Sequence, residues 1–531
     1  MQVTDSQAAD RAGLLAALRR VLPADGLLTA EAERRVYECD ALSNYRALPL
    51  AVALPETVQQ VQALLRLCGE YGVPVVPRGA GTGLSAGALP REDGILLSMT
   101  RFDRILEIDP DDRVARVQPG VRNLAVSEAA AVHGLFYAPD PSSQFASSIG
   151  GNIAENSGGV HCVKYGLTTH NLLEVTLVTM DGELLTVGGG GLDGPGCDLL
   201  ALVTGSEGML GVVVEARLKL LPLPESIVLL QAAFPDLERA GRAVMDIVAA
   251  GVVPAGLDMM DQVAVEVVEG YIQMGLPVDA AALLFCELDG ATAEVEAQLE
   301  RVQALMRACG GYDLRLARDA DERTRLWAGR KGAFPAMGRV SPDFYIVDAT
   351  VPRRHLAGIL RRIGELAAEY GQRVATAFHA GDGNLHPLIL YDGAVPEQVE
   401  RTEKLASRIL DECLAVGGTI TGEHGIGAEK IDKACRQFAD PVLEDYFAVK
   451  RAFDPAGLLN PGKAIPTLTR CAELRGTHVH RGHLPHPDLE HFCAWIRTTP
   501  RRWSAPCGAP SRHTSRCEPR ATAARRSMAI R

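Results

Sequence analysis

The chain has 531 residues and a formal net charge of −12, with 47% hydrophobic and 23% charged residues. This length is enough for two or three domains with substantial cores, and the composition is that of an ordinary soluble globular protein. The excess of negative charge argues against a nucleic-acid partner.

Neither a membrane span nor a secretion signal is predicted. No apolar stretch reaches the roughly 18 residues needed to cross a bilayer, and Asp5, Asp10 and Arg11 interrupt any signal-peptide core within residues 1–20. The 12 cysteines form no C-x-x-C pair, which is typical of reduced thiols and argues against an iron–sulfur cluster. We therefore expect a cytoplasmic protein that contacts the inner face of the cell membrane only peripherally or through a partner.

Hydrophobic periodicity predicts an N-terminal helical segment, residues 1–46, and then a mixed domain, residues 47–224. Amphipathic helices are expected at 9–22 and 57–71. Strand-like runs lie at 51–54, 73–76, 95–98, 114–118, 172–178 and 212–221. Pro222 and Pro224 punctuate the chain, and we place a domain boundary there.

A glycine-rich loop at residues 77–87 directly follows the strand-like run at 73–76. Its glycines leave the backbone N–H groups accessible, so they can surround a phosphate. The loop therefore indicates a nucleotide or dinucleotide cofactor. One interpretation is a Rossmann fingerprint, Gly81-x-Gly83-x-x-Ala86, with Asp103 as the ribose carboxylate.

The Rossmann fingerprint should open a long helix, but residues 84–92 contain Gly87 and Pro90 and predict a loop. A second interpretation uses two further glycine-rich segments, at residues 147–159 and 204–211. Three separate loops suit a long, extended cofactor that is held along its length.

The motifs Arg78-Gly-Ala-Gly-Thr82, Pro141-Ser-Ser, Gly150-Gly-Asn-Ile-Ala-Glu-Asn-Ser-Gly-Gly159 and Lys164-Tyr-Gly resemble the FAD-binding domain of the vanillyl-alcohol oxidase family. The resemblance implies a PCMH-type domain whose first loop wraps the FAD pyrophosphate. Relatives that attach the flavin covalently through this loop use a histidine, and residues 77–87 contain none, so we expect non-covalent FAD. The expected FAD-binding residues are Arg78, Gly79, Ala80, Gly81, Thr82, Gly83, Pro141, Ser142, Gly150, Gly151, Asn152, Asn156, Gly159, Gly205, Glu207, Gly208 and Val213.

Residues 225–467 alternate strand-like and helix-like runs. Strands are predicted at 227–233, 281–287 and 344–351, and helices at 236–249, 293–309 and 354–370. This pattern predicts a substrate domain of α+β type on an antiparallel sheet, which makes the whole chain α+β. Residues 468–531 are predicted to be an extension, disordered from about residue 497, to which we assign no chemistry.

Two glycine-rich segments of the second half contain residues suited to a metal site. His379 and His386 flank a Gly-Asp-Gly-Asn turn, and Glu423 and His424 lie in the segment 420–427. Two imidazoles and a carboxylate would leave a divalent metal an open position for substrate, if the segments meet in space. His424 would then be placed to take a proton. Spacing alone leaves metal-dependent and metal-free acid–base chemistry open.

These segments resemble the FAD-dependent 2-hydroxy-acid dehydrogenases, and most of all the glycolate oxidase catalytic subunits. The resemblance implies that His379, His386 and Glu423 bind a divalent metal, commonly zinc, and that His424 is the catalytic base. It also implies that Arg330 binds the substrate carboxylate as a bidentate fork. The alternative for Arg330 is a solvated arginine on a helix face.

The expected reaction is therefore oxidation of a short 2-hydroxy acid, most simply glycolate, by hydride transfer to flavin, with electrons passed to an external acceptor. D-lactate or D-2-hydroxyglutarate is the alternative substrate, and a non-catalytic, flavin-holding electron-relay subunit is an alternative of another class. The resemblance further implies a complex with a second flavin-type subunit and an iron–sulfur subunit.

Overall fold

The computed structural model describes residues 5–189 and 196–466. The extension predicted at 468–531 lies outside the described residues. Within the described part of the chain, no helix is both long and apolar enough to cross a membrane.

The first half of the chain combines short strands with helices of 4 to 17 residues. Its strands are β1 (Leu27–Leu28), β2 (Ala51–Ala53), β3 (Val75–Arg78), β4 (Ile95–Ser98), β5 (Ile105–Asp109), β6 (Val114–Val117), β7 (Leu135–Phe136), β8 (Leu172–Val178), β9 (Leu184–Gly188), β10 (Val212–Lys219) and β11 (Leu221–Pro222). Its helices are α1 (Asp5–Val21), α2 (Glu31–Arg35), α3 (Val58–Glu70), α4 (Asn123–Ala130), α5 (Ile149–Glu155), α6 (Cys162–Tyr165) and α7 (Leu199–Val203).

These strands form two main sheets. One has the order β1-β2-β4-β3, in which β4 runs parallel to both β2 and β3. The other is antiparallel, with the order β5-β6-β10-β8-β9. The first glycine loop leaves the end of β3, and residues 79–94 contain no helix. The Rossmann interpretation of that loop is therefore wrong.

Helix α3 illustrates how the sequence sets an element of this half. Thr57 accepts the N–H of Gln60, and the Gln60 side chain accepts the N–H of Thr57, which forms a capping box. The helix then buries Val61, Leu64 and Leu65 in the same core as strands β2, β3 and β4.

The second half forms one large sheet. Its strands are β12 (Ser226–Phe234), β13 (Gly256–Asp261), β14 (Ala282–Gly290), β15 (Tyr312–Ala317), β16 (Asp343–Ile346), β17 (Ala349–Thr350), β18 (Arg373–His379), β19 (Asn384–Leu385) and β20 (Pro387–Tyr391). Its helices are α8 (Leu237–Ala249), α9 (Gln262–Ile272), α10 (Thr292–Ala308), α11 (Ala320–Lys331), α12 (Ala333–Val340), α13 (Leu356–Tyr370), α14 (Pro396–Ala415), α15 (Ile431–Gln437) and α16 (Asp440–Phe453).

The order of the large sheet is β15-β12-β14-β13-β18-β19-β17, with β20 pairing β18 and β16. Every pairing in it is antiparallel, as the sequence predicted. Helices α8, α10, α13 and α14 share a core on one face, and α9, α11 and α12 share another core. Burial on both faces explains why β12 and β14 are apolar along most of their length.

The end of the described chain returns to the first domain. The N–H of Val75 donates to the carbonyl of Leu458 at 2.8 Å, and the N–H of Asn460 donates to the carbonyl of Val75 at 2.7 Å. Leu459 is buried in the same core as α3. The predicted domain 225–467 therefore ends in a segment that pairs with β3 and so extends the sheet β1-β2-β4-β3 of the first half.

Candidate active site

A cavity of about 820 Å³ is bounded by residues of both halves of the chain. All three glycine-rich loops contribute to its walls, and so do His386, Glu423 and His424. Most of the predicted FAD-binding residues line it; Asn156, Gly159 and Gly205 do not. The structure therefore brings the predicted cofactor loops and the predicted base to one cavity.

The first glycine loop packs closely against the second. A Cβ added to Gly79 would lie 2.1 Å from the Ser148 hydroxyl oxygen, so no larger residue fits without a shift. Gly81 adopts φ +74°, in the left-handed region that favours glycine. The result is a wall of bare backbone along the cavity, which fits the pyrophosphate of an extended dinucleotide.

The predicted metal ligands meet at the end of the large sheet. His379 ends β18, a tight turn follows, and His386 lies directly before β20. Oε1 of Glu423 lies 3.4 Å from Nε2 of His379 and 3.0 Å from Nε2 of His386. One ligand atom from each residue lies within 4.8 Å of the others. Two imidazole nitrogens and one carboxylate fit a divalent metal of the zinc type.

The imidazole of His379 is backed by a buried carboxylate. Nδ1 of His379 lies 2.9 Å from Oδ1 of Asp258. Nδ1 of His386 lies 4.0 Å from Oδ1 of Asp348, which is too far for a hydrogen bond. A carboxylate in the position of Asp258 fixes the orientation of a ligating imidazole and strengthens its basicity, so the Asp258–His379 contact supports the metal interpretation.

Burial and neighbouring charges set the protonation of this cluster. Burial alone would lower the pKa of His379, but Asp258 and Glu423 raise it well above its usual value. Burial alone would raise the pKa of Glu423, but His379 and His386 hold it well below its usual range. Glu423 is thus a carboxylate paired with a protonated His379, and metal binding at this cluster would displace that proton.

His424 differs from its neighbours. Burial lowers the pKa of His424 to about 4, although Asp348 opposes that shift. Its ring stacks on that of His386, with centroids 5.1 Å apart and planes 11° apart. Its Nδ1 is buried and makes no hydrogen bond to the described residues. The imidazole is therefore neutral near pH 7 and can accept a proton.

Asp348 shapes the loop that carries Glu423 and His424. It lies after β16 and accepts hydrogen bonds from the backbone N–H groups of Gly422 at 3.0 Å, Glu423 at 3.3 Å and His424 at 3.1 Å. Nζ of Lys430 lies 3.1 Å from the same carboxylate. Because Lys430 already supplies a positive charge there, the group Asp348, His386 and His424 is a poor site for a second cation.

Arg330 is buried near the end of α11, where only 3% of its side chain is exposed. Its Nε lies 2.7 Å from Oδ2 of Asp258. The alternative of a solvated helix-face arginine is therefore wrong. Arg330 does not line the cavity, whereas its neighbour Lys331 does. Its terminal nitrogens make no hydrogen bond within the described part of the chain.

Polar contacts that the sequence did not predict join the two halves of the chain. His161 lies 2.9 Å from Oδ2 of Asp140 through Nδ1 and 2.9 Å from Oε1 of Glu287 through Nε2. The Trp327 indole donates to the other oxygen of Glu287 at 2.6 Å. These partners lie far apart in the sequence, so no local pattern announces them. Asp258 was also missed, although an aspartate within an apolar strand is itself a signal.

Comparison with known proteins agrees with this fold. Residues 49–188 match the model of the FAD binding domain, and residues 223–464 match that of the FAD linked oxidases, C-terminal domain. Among solved structures, p-cresol methylhydroxylase with substrate bound has a TM-score of 0.74 at 17% identity, covering 88% of this chain and 98% of that one. This likeness shows a shared fold, that of the PCMH-type flavoenzymes.

The fold and the matched domains define an FAD-dependent oxidoreductase. The chain belongs to the FAD-linked oxidase family. It is 57% identical over 483 residues to glycolate oxidase subunit GlcD of Escherichia coli (strain K12), covering 91% of this chain and 97% of that protein. It is 40% identical to GlcD of Bacillus subtilis (strain 168), covering 82% and 93%. It is 36% identical to D-lactate dehydrogenase of Archaeoglobus fulgidus, covering 78% and 91%.

Proposed function

We propose that this protein oxidises a short 2-hydroxy acid to the 2-oxo acid, with glycolate as the leading substrate and glyoxylate as its product. The observation that carries the proposal is that Glu423 and the neutral imidazole of His424 face the same cavity as the cofactor loops. The 57% identity to a glycolate oxidase subunit supports the choice of substrate.

The substrate loses a proton from its hydroxyl group and a hydride from its α carbon. FAD, held non-covalently by the glycine loops, would supply the hydride acceptor. His424 takes the hydroxyl proton, because its buried imidazole is neutral and lies beside the predicted ligand His386. A divalent metal held by His379, His386 and Glu423 would make that hydroxyl more acidic.

On the family resemblance, Arg330 would bind the substrate carboxylate, although Lys331 and not Arg330 is among the residues that line the cavity. Asp258 engages its Nε, which leaves the two terminal nitrogens as a fork for two carboxylate oxygens. A fixed carboxylate determines which face of the α carbon meets the flavin, so orientation is the contribution of this residue.

The protein would also work in a complex. Its relatives from two bacteria are named as subunits of glycolate oxidase. The partners inferred from family resemblance are a second flavin-type subunit and an iron–sulfur subunit, which would carry electrons away from the flavin.

The test is anaerobic mixing of the purified, metal-supplemented protein with glycolate, D-lactate or D-2-hydroxyglutarate, following bleaching of the oxidised-flavin band. Fastest bleaching with glycolate supports the proposal. Fastest bleaching with D-lactate would show that D-lactate, and not glycolate, is the preferred substrate. A yellow protein that none of the three acids bleaches would favour an electron-relay subunit.

The metal is tested separately by elemental analysis. We expect close to one divalent metal per chain in the wild type and a large loss in His386→Gln, which keeps the size of the side chain but removes a ligand. His133→Gln, at an exposed position, is the matched control. Equal metal content in the wild type and His386→Gln would contradict the metal site.

A further inference from the structure

The loop that carries Glu423 and His424 is held from both domains. Asp348, between strands β16 and β17 of the large sheet, accepts the N–H groups of residues 422–424. Beyond His424, the hydrogen-bond partners of the loop lie in the domain predicted at residues 47–224, the cofactor domain. Oε1 of Glu207 accepts the N–H of Ile426 at 2.7 Å, and Oε2 accepts the N–H of Gly427 at 2.8 Å.

The packing at this contact leaves no room for side chains. Gly425 has φ +83°, and a Cβ there would lie 2.2 Å from Oε2 of Glu155 and 2.9 Å from Oε1 of Glu207. Gly427 has φ +55°, and a Cβ there would lie 1.9 Å from the carbonyl oxygen of Ser85. The loop backbone therefore lies directly against the cofactor domain.

Glu207 is itself fixed by the cofactor loops. Its N–H donates to the carbonyl of Ala154 at 2.8 Å, which ties the third glycine loop to helix α5 of the second. Its carbonyl accepts the Asn460 side-chain amide at 2.6 Å, and the same amide donates to Gly87 of the first loop at 3.1 Å. The backbone of Glu207, in the third loop, is thus tied directly to the second loop and through Asn460 to the first.

We infer that Glu207 is a positioning residue that couples the cofactor loops to the catalytic base. Both of its carboxylate oxygens accept N–H groups of the loop 420–427, which we call the catalytic loop. The carboxylate therefore fixes His424 relative to the flavin cavity instead of binding the flavin. This revises its predicted role as an FAD ligand. The inference rests on the proposed function for the identity of the base, but the contact itself does not depend on catalysis.

The test compares Glu207→Gln with the wild-type holoprotein by hydrogen exchange of the peptide covering residues 420–430. The glutamine keeps the shape of the side chain but turns one acceptor into a donor that faces a backbone N–H. We expect exchange in this peptide to rise by about tenfold or more, with FAD content unchanged. We expect kcat for glycolate to fall roughly 10- to 100-fold with a much smaller change in KM.

Glu287→Gln is the matched control, because Glu287 is similarly buried at 7% exposed against 5% for Glu207, and also joins the two domains. Its exchange in 420–430 should match the wild type. Exchange in Glu207→Asp, whose side chain is shorter but keeps two acceptor oxygens, should lie between that of the wild type and that of Glu207→Gln.

Loss of FAD from Glu207→Gln with unchanged exchange would overturn the inference and restore an FAD-binding role. Wild-type exchange with intact FAD would overturn it as well. A protein that oxidises none of the three hydroxy acids would contradict the proposed function. The exchange measurement would still test the inference, because it needs no turnover.

Discussion

Asp258 links His379 to Arg330 through its two carboxylate oxygens. Oδ1 lies 2.9 Å from Nδ1 of His379, and Oδ2 lies 2.7 Å from Nε of Arg330. The register of the sheet places this contact, because Asp258 on β13 is paired directly with His379 on β18. The residue that orients a predicted metal ligand is therefore the one that orients the predicted substrate arginine.

Replacing Asp258 by Asn should weaken metal binding and substrate binding together. The amide keeps the shape but removes the negative charge between His379 and Arg330, and outer-shell changes of this kind cost about 10- to 100-fold in metal affinity or activity. Competition with a chelator measures the metal affinity, and initial rates at varied substrate concentration measure substrate binding. Asp261→Asn is the control, because Asp261 ends the same strand but accepts backbone N–H groups of Ala264 and Thr376. Equal metal affinity in Asp258→Asn and the wild type would contradict this linkage.

Replacing Arg330 by Lys should raise KM and lower kcat/KM for a 2-hydroxy acid roughly 10- to 100-fold, because one ammonium cannot bind two carboxylate oxygens as a fork. FAD content should stay at the wild-type level. Arg325→Lys, on the exposed face of the same helix, is the control and should behave as the wild type. Unchanged steady-state kinetics in Arg330→Lys would remove Arg330 from the substrate site.

Much of this architecture could be predicted from local sequence. Strands β4 and β8 begin and end where the periodicity placed them, and α3 and α8 begin after the caps Thr57 and Asp236. The glycine loops were also identified, because bare backbone is a local signal. The contacts of Glu207 with the catalytic loop and of His161 with Glu287 could not be predicted, because they depend on how the two domains pack.

Replacing His424 by Ala should abolish rapid flavin reduction while the protein remains yellow. Nδ1 of His424 makes no hydrogen bond to the described residues, so its loss removes little structure. A positioned base is typically worth about 10²- to 10⁴-fold in rate, and we expect a reduction of that size in anaerobic stopped-flow traces. His133→Ala, at an exposed position, is the control. Flavin reduction at the wild-type rate in His424→Ala would show that another group takes the proton.

Replacing His161 by Gln should change how stability depends on pH. Burial alone would lower the pKa of His161, but Asp140 and Glu287 raise it well above its usual value. The folded state therefore binds this proton more tightly than the unfolded chain. The stabilisation is complete below about pH 6.5, the ordinary pKa of histidine, and is lost as the pH rises through the raised value in the folded state.

Chemical unfolding of the wild type and His161→Gln across pH 5 to 9 (roughly the range where histidine titrates) measures this difference. We expect the wild type to be more stable by about 3 kcal/mol at low pH, because the variant leaves Asp140 and Glu287 without their cation. The difference should shrink as the pH rises above neutrality. His133→Gln should reproduce the wild-type pH dependence, and a difference that grows with pH would contradict the charged state of His161.

Replacing Gly427 by Ala should cost far more than the same change at Gly457, although both adopt positive φ, +55° and +66°. At Gly457 nothing lies within 4 Å of an added Cβ, so the change costs only the backbone strain of about 1–2 kcal/mol. At Gly427 the added Cβ would lie 1.9 Å from the carbonyl oxygen of Ser85, a rigid backbone atom, so the loop must move away from the cofactor domain. That movement would break the hydrogen bonds to Glu207 and displace His424.

Gly427→Ala should therefore lower kcat as Glu207→Gln does, while Gly457→Ala should lose stability and keep its rate. Equal rates in the two glycine variants would show that the base does not depend on this contact.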